Sequence, residues 1–560
     1  LSVTPILLAK GADHIAAKIR EEAKLHGVEI FSAPPLARAI YFTTDLDRNI
    51  PEALYYAVAQ VLAYVFNLAQ IRPGVQPMQR PSPKLPKDMQ FDADGNLIAN
   101  APHIPVHLGS MGESIKTVIH ANQGSMCRGD VYVLNDPYHG GTHLPDVTVI
   151  TPVYLDGHDF SRPHFYVGSR GHHADIGGIT PGSMPPFSSS ITQEGVQINN
   201  VKLVDRGVLQ EETMLDLLQS GANPSRNAAQ NMADLQAQIA ANETGVHELR
   251  SMVQQFGLDV VHAYMRHVQD NAEESVRRVI TRLRNGAFTL PLDNGAQIQV
   301  AIRVDATART AEVDFTGTSA QQTNNFNAPT AVCMAAVLYV FRSLVNDDIP
   351  LNAGCLKPIT VIIPPGCMLN PNPPAAVVAG NVETSSCVTN ALFGALGSVA
   401  ASQCTMNNFT FGNARHQYYE TISGGSGAGE GFDGCSVVQT HMTNSRLTDP
   451  EVLEFRFPVR LESYAIRPES GGAGRWRGGD GGIRRIRFLE AMTASILSNG
   501  RKRGPFGMAG GAPGQPGINQ VVRADGSAEV LGHIAQTDMQ PGDIFEIHTP
   551  GGGGDGTTVG

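Results

Sequence analysis

The chain of 560 residues reads as a multidomain α+β protein: a small N-terminal αβ domain, then a large body mixing strand-rich and helical stretches. Three observations predict this class. The length exceeds what a single hydrophobic core usually serves. Five prolines (73, 77, 81, 83 and 86) break all apolar periodicity between residues 71 and 90. Beyond them, period-two alternation and helical stripes follow one another with no internal repeat.

Composition narrows the function. Hydrophobic residues make up 42% and charged residues only 17%, with 59 Gly and 36 Pro, which excludes a disordered polar chain and a coiled coil. A net charge of -11 argues against a general nucleic-acid binder, whose surface must neutralise phosphates. No apolar run reaches the ~20 residues that span a bilayer, so no membrane insertion is expected. Residues 331–341 are short and run into Arg342, and residues 1–9 lack a basic leader and contain Pro5. Seven cysteines without a CxxC pair read as reduced thiols of a cytoplasmic protein.

In residues 1–70, a strand over 3–9 leads to Asp13, a suitable helix cap. Ile15, Ile19 and Ala23 share one helical face until Gly27, and residues 28–31 read as a second strand. Residues 35–41 read as a helix, and Pro51 opens another whose buried stripe is Leu54, Val58, Leu62 and Val65. The stretches Leu8-Ala9-Lys10-Gly11-Ala12-Asp13, Pro35-Leu36-Ala37-Arg38 and Ile50-Pro51 with Leu54-Tyr55 and Ala57-Val58-Ala59 make this segment similar to a known domain. It resembles the cytoplasmic C-terminal domain of the flagellar and type III secretion export-gate switch protein. That family's Asn-Pro-Thr-His self-cleavage loop and membrane helices are not expected to carry over.

Residues 71–90 read as a semi-extended linker. Asp92-Ala93-Asp94-Gly95 is a turn between strands. Residues 225–285 are helical, with Leu235 and Ile239, then Val261, Tyr264 and Val268, then Val276, Ile280 and Leu283 in register, and Gly245 and Gly257 as expected breaks. Strands resume after Gly286, where Ile298, Val300, Ile302 and Val304 alternate strictly. Residues 328–344 and 386–402 read as buried helices, and the glycine-dense last 130 residues, 431–560, as short strands with tight turns.

The chemistry concentrates in two stretches: Asn135-Asp136-Pro137-Tyr138-His139-Gly140-Gly141-Thr142-His143-Leu144-Pro145-Asp146, and Gly171-His172-His173-Ala174-Asp175-Ile176-Gly177-Gly178. Between them two apolar runs meet at Asp156-Gly157, a hairpin signal. An antiparallel hairpin brings the chain back to its start and is expected to set His173 beside His143 and Asp146. Imidazoles and carboxylates without sulfur suit manganese, iron or zinc better than magnesium. His139, His158 and His164 are expected to be structural. Asp136 is read as a ligand, an Asx turn or, preferentially, an orienter of a ligating imidazole.

Long motifs over residues 91–556 carry a second resemblance. They include Ala99-Asn100-Ala101-Pro102-His103-Ile104-Pro105-Val106-His107-Leu108-Gly109-Ser110-Met111 and both stretches above. Pro181-Gly182-Ser183-Met184-Pro185-Pro186, Gly380-Asn381-Val382-Glu383-Thr384-Ser385, Thr405-Met406-Asn407-Asn408 and Gly551-Gly552-Gly553-Gly554 come in order after them. This region, taken as residues 91–560, resembles the hydantoinase B/5-oxoprolinase family, as if truncated at its N-terminus with the export-gate-like segment in place of the family's own. The resemblance implies a metal-dependent subunit of an ATP-dependent cyclic-amide hydrolase. Its implied companions are a hydantoinase A/oxoprolinase A-type partner that uses the ATP, a small cyclic amide and an oligomeric assembly. By similarity to acetone carboxylase, where two histidines and an aspartate hold manganese, it also implies ligands at His143, Asp146 and the His172-His173 pair. His173 is preferred, with Asp175 in support. Glu383, Glu430 and His441 are candidates for acid–base or substrate contacts. Gly424-Gly425-Ser426-Gly427-Ala428-Gly429 lacks the Lys-Ser/Thr of a P-loop and is not assigned to nucleotide. Two alternatives are an ATP-dependent ketone carboxylase subunit, and a secretion interaction module fused to an inactive hydrolase fragment.

Overall fold

The computed structural model describes residues 89–99, 104–347, 349 and 351–558, with six residues between 18 and 26. The chain divides into two compact units, Leu1–Pro86 and Lys87–Gly560. The elements expected in residues 1–70 lie outside the described residues, apart from those six, as does the linker up to residue 88. The second unit, among its described residues, is built from four sheets and the helices packed on them.

Strands β1 (Met89–Phe91), β2 (Leu97–Ala99), β3 (Val131–Leu134), β4 (Asp146–Val153), β5 (Phe165–His172), β6 (Val201–Asp205) and β7 (Val208–Leu209) form an antiparallel sheet in the order β2-β1-β5-β4-β3-β6-β7. Met89 and Gln90, expected in the linker, already pair with β5. Asp92 accepts from the N–H groups of Asp94 and Asn96, closing the turn read at Asp92-Ala93-Asp94-Gly95. All eight residues of β4 are buried, without the alternation of a half-solvated sheet. The cause is a helix on each face. Helix α1 (Pro105–Ala121) sets Met111, Ile115 and Val118 against Tyr132, Ile150 and Tyr166. After α2 (Glu211–Leu218), helix α3 (Ala228–Phe256) covers the other face with Val246, Leu249 and Val253 against Val153, Phe165 and Val167.

Helix α3 runs unbroken through Gly245, contrary to the expected break there. A mid-helix glycine costs about 1 kcal/mol, which the buried face of a 29-residue helix outweighs. Gly257, at φ +83°, does end it, before α4 (Leu258–Ile280).

Strands β8 (Gly286–Pro291), β9 (Gln297–Asp305), β10 (Thr310–Asp314) and β11 (Ile359–Ile362) form a second sheet, β11-β10-β9-β8. Ile298, Val300 and Ile302 of β9 enter a core shared with α5 (Thr330–Ser343) and α6 (Ser385–Leu396). Helix α6 stops earlier than the expected residue 402, because Gly397 adopts the left-handed conformation that closes a helix.

The C-terminal part holds β12 (Asn408–Gly412), β13 (Gln417–Glu420), α7 (Pro450–Arg456), β14 (Val459–Ile466), β15 (Gly482–Phe488), β16 (Met492–Leu497), β17 (Ile518–Val522), β18 (Ala528–Leu531), β19 (Ile534–Met539) and β20 (Ile544–His548). They make two sheets, β13-β12-β16-β19 and β14-β15-β20-β17-β18, around Phe409, Phe411, Phe488, Ile496 and Phe545.

Glycine serves close packing of backbone here. The Gly551-Gly552-Gly553-Gly554 stretch exchanges backbone hydrogen bonds with residues 401, 428, 472, 479, 508, 512 and 515. A Cβ at Gly552 would sit 1.9 Å from the Ser426 carbonyl oxygen, and one at Gly427 1.8 Å from that of Ala400. The 424–429 loop is therefore a packing element, in keeping with its lack of a P-loop Lys-Ser/Thr.

Among the described residues no helix is long and apolar enough to cross a membrane. All seven cysteines are free thiols. Helix α1 is pinned to α5 at Gly109, where a Cβ would fall 2.2 Å from the Ala335 Cα. Gly109→Ala is therefore expected to lower stability by about 1–3 kcal/mol through overpacking, read as a depressed thermal unfolding midpoint.

Candidate metal centre and its cavity

The β4–β5 hairpin pairs Asp146 directly with His172. Upstream, the buried Asn135 amide donates to the Leu144 and Val196 carbonyls and its oxygen accepts from Ile198 N–H, which folds the 135–146 loop onto β4. Gly141 is required in that fold, since a Cβ there would lie 2.2 Å from the Asn135 carbonyl oxygen. The Asp146 N–H donates to the His143 carbonyl, so the His-x-x-Asp spacing closes a tight turn that points both side chains the same way.

Three donors converge. His143 Nδ1 lies 3.0 Å from Asp146 Oδ2, His172 Nδ1 lies 3.1 Å from Asp146 Oδ1, and one ligand atom from each residue falls within a 4.8 Å cluster. His107, from the first turn of α1, puts its Nδ1 3.4 Å from Asp146 Oδ2. Thr142 Oγ1 and Asn381 Nδ2 donate to the same carboxylate at 3.2 and 3.1 Å. Asn381 stands on a π-helical turn, Gly380–Thr384, leading into α6.

Burial opposes ionisation of Asp146, yet the imidazoles around it, with His143 and His172 within hydrogen-bond distance, hold its carboxyl well below the usual range. Burial also disfavours protonation of His143, which is lowered, and of His107, down to about 3. The His143–Asp146 pair is thereby a neutral imidazole beside an anionic oxygen, the protonation state a divalent cation needs in its ligands. The Nε2 atoms of His143 and His172 are buried with no hydrogen-bond partner among the described residues. An N,N,O donor set with orphaned buried nitrogens fits a divalent metal of the manganese, iron or zinc type.

The other sequence-derived candidates fall elsewhere. His173, the preferred ligand, turns away: its Nδ1 accepts from Asn231 Nδ2 at 2.9 Å and its Nε2 lies 3.3 Å from Gln238 Oε1. Adjacent residues at a strand end project to opposite faces, so only one of the pair can join Asp146. Asp136 accepts from Tyr138 N–H and contacts His139 Nδ1 at 2.8 Å, orienting neither His143 nor His172. Asp175 accepts from the N–H groups of Gly177 and Gly182 and pairs with Arg226, as a loop organiser. Glu430 is exposed and away from the cavity lining. His441 is enclosed by Ser402 Oγ at 3.0 Å and Tyr339 Oη at 3.3 Å, and burial lowers its pKa to about 4.

Glu383 does not line the cavity but reaches it through neighbours. Its Oε1 accepts from Asn408 Nδ2 at 2.7 Å, Asn408 Oδ1 accepts from Tyr419 Oη at 2.8 Å, and the Tyr419 ring stacks on His172 at 4.9 Å. This chain fixes the orientation of the imidazole. Sequence reasoning does not reach His107, Asn381 or Tyr419, since each arrives from a distant segment. The nearest signal is the position of His107 and Asn381 inside two of the quoted motifs.

A cavity of about 230 Å³ opens on this cluster. Val106, Val382, Met406 and Met442 form apolar wall, and Thr443, Ser445, Arg446 and Thr448 supply polar wall. Glu420 also lines it, already engaged by Arg484 at 2.7 and 2.8 Å.

Residues 89–558 match the family described as hydantoinase B/oxoprolinase, and residues 2–65 match the FlhB HrpN YscU SpaS family. The chain is 45% identical to 5-oxoprolinase 1 of Arabidopsis thaliana over 493 residues, covering 84% of this chain and 39% of that protein. It thus spans about two fifths of the length of that relative. Its fold is that of the ATP-dependent caprolactamase from Pseudomonas jessenii (TM-score 0.75, 24% identity, 91% of this chain and 92% of that one). Acetone carboxylase in its nucleotide-free structure is also similar (TM-score 0.74, 18% identity, 84% and 70%).

Burial raises both Glu194 and Glu383 to about 7. A carboxyl raised on folding stabilises fully below its unfolded value, and that contribution is lost as pH rises through about 7. Between pH 5 and 8 the contribution of these two carboxyls to unfolding free energy is expected to fall with pH, opposite in sign to that of the buried neutral histidines. Glu194→Gln and Glu383→Gln are each expected to remove one such falling contribution in denaturant titrations.

Proposed function

The chain belongs to the hydantoinase B/oxoprolinase family, and from that membership we propose that it is the metal-dependent part of an ATP-dependent cyclic-amide hydrolase of the 5-oxoprolinase or N-methylhydantoinase type. The observation that carries the reading is the convergence of His143, Asp146 and His172 on one cavity. A 45% identical relative named 5-oxoprolinase favours the cyclic amide over the ketone, because the likeness to acetone carboxylase, at 18% identity, concerns the fold alone.

In this reading an A-type partner phosphorylates the amide oxygen of a lactam or hydantoin in the cytoplasm. Water then adds to the activated carbon, the ring C–N bond breaks as the nitrogen takes up a proton, and a second water hydrolyses the resulting acyl phosphate to the carboxylate and free phosphate. His143, Asp146 and His172 would hold the divalent ion, which when bound lowers the pKa of water and polarises oxygen. Thr142 and Asn381 hold the Asp146 carboxylate in one orientation, and Tyr419 does the same for His172. Val106, Val382, Met406 and Met442 would pack the ring methylenes and exclude bulk water.

Metal analysis of the purified chain should find about one manganese, zinc or iron per chain. Stoichiometry should collapse in His143→Ala, Asp146→Ala and His172→Ala but persist in His173→Ala; unchanged content in the first three would dismiss the site. With its A-type partner the chain should open 5-oxoproline or a hydantoin only when ATP is present, followed by product chromatography. Ring opening that ignores ATP would count against the assignment.

A further inference from the structure

One lining residue of the cavity carries a charge that the protein leaves uncommitted. Arg446 is exposed and lines the same cavity as His143, Asp146 and His172. It makes neither a hydrogen bond nor an ion pair among the described residues. The neighbouring charges are all engaged. Glu420 meets Arg484 through two hydrogen bonds and accepts a third from Tyr418 Oη at 2.9 Å. Asp146 is surrounded by imidazoles, and the buried guanidinium of Arg170 donates to the hydroxyls of Thr148, Ser110 and Ser114. Arg446 is therefore the cavity's one lining guanidinium with no internal acceptor among the described residues. Thr443 and Ser445, whose hydroxyls are hydrogen-bonded to each other at 2.9 Å, leave one O–H donor between them on the same wall.

A guanidinium presents its N–H groups as a planar fork that matches a carboxylate with two parallel hydrogen bonds. The same cavity offers apolar wall for a small saturated ring. We propose that Arg446 anchors a carboxylate carried by the substrate, so that this cavity selects cyclic amides bearing an acidic group over neutral lactams. The proposal rests on the reading of the cavity as the cyclic-amide site, and makes Arg446 a specificity determinant with no part in the bond-breaking step.

The test is calorimetric titration of the manganese-loaded full chain with 5-oxoproline and with its primary carboxamide, which keeps the ring and removes the charge. Wild type is expected to bind the acid about tenfold more tightly than the amide. Arg446→Gln should bring that ratio close to one, and Arg446→Lys should keep part of it. The same ratio in Arg446→Gln as in wild type, or binding of neither compound, overturns the proposal. Ring opening of 5-oxoproline and of 2-pyrrolidinone with ATP and the A-type partner is measured alongside. A kcat/KM loss confined to 5-oxoproline in Arg446→Gln supports the anchor. Equal loss on both lactams, as expected if Arg446 held the phosphate of the activated amide, overturns the anchor while the cyclic-amide reading stands. A wild-type chain that opens neither lactam overturns that reading, and the anchor with it.

Discussion

Asp146 has no solvent exposure, and a carboxylate removed from water must recover several kcal/mol from the charges and donors around it. Its partners come from four separate parts of the chain: Thr142 and His143 from the loop before it, His172 across the hairpin, His107 from α1 and Asn381 from the π-helical turn. None of these segments can shift alone without leaving the charge uncompensated. The ionisation state stems from the same enclosure, since the low dielectric that penalises a bare charge also disfavours protonated imidazoles. For His143 and Asp146 the outcome is a neutral nitrogen beside an anionic oxygen, the state a metal ligand needs.

The surrounding architecture keeps that arrangement fixed. Helices α1 and α3 cover both faces of the β4–β5 sheet, so the strand register that pairs Asp146 with His172 lies inside a packed layer. Arg170 ties β5 to α1 through Ser110 and Ser114, and α1 in turn meets α5 at a glycine contact with no room for a side chain. In the C-terminal part, the tetraglycine threads between backbone segments close enough to exclude any Cβ. Glycine there removes side chains so that peptide groups can satisfy one another directly.

Much of this is legible in the residues. The Asp-Gly hairpin and the alternation in β9 depend on short-range sequence and recur in the structure. The expected stripe of α4 holds at Val261, Val276 and Ile280 but not at Tyr264, which is exposed while Met265 takes the buried position. Two departures turn on glycine. Packing carries α3 through Gly245 against its local propensity, while the left-handed Gly397 ends α6 before residue 402. The preference for His173 over His172 does not anticipate the pleat: one residue of register decides which imidazole meets Asp146, and the other is taken by Asn231 and Gln238 of α3. Glu383 is a buried polar group next to the site, but its contact with the cavity runs through Asn408 and Tyr419.

By itself, the sequence determined the family, the strand–turn–strand unit and two members of the donor cluster, His143 and Asp146, because each is encoded within a few consecutive residues. Tertiary structure alone decided which of His172 and His173 joins them, and brought in the companions His107, Asn381 and Tyr419. They lie 39, 235 and 273 positions from Asp146 in the chain, and His107 and Asn381 reach Asp146, and Tyr419 reaches His172, only once helices and sheets have packed. It also decided which charges the cavity spends on its own framework and which one, on Arg446, it leaves for something that enters. A charge's availability depends on the acceptors brought around it, and that is a property of packing that no local pattern records.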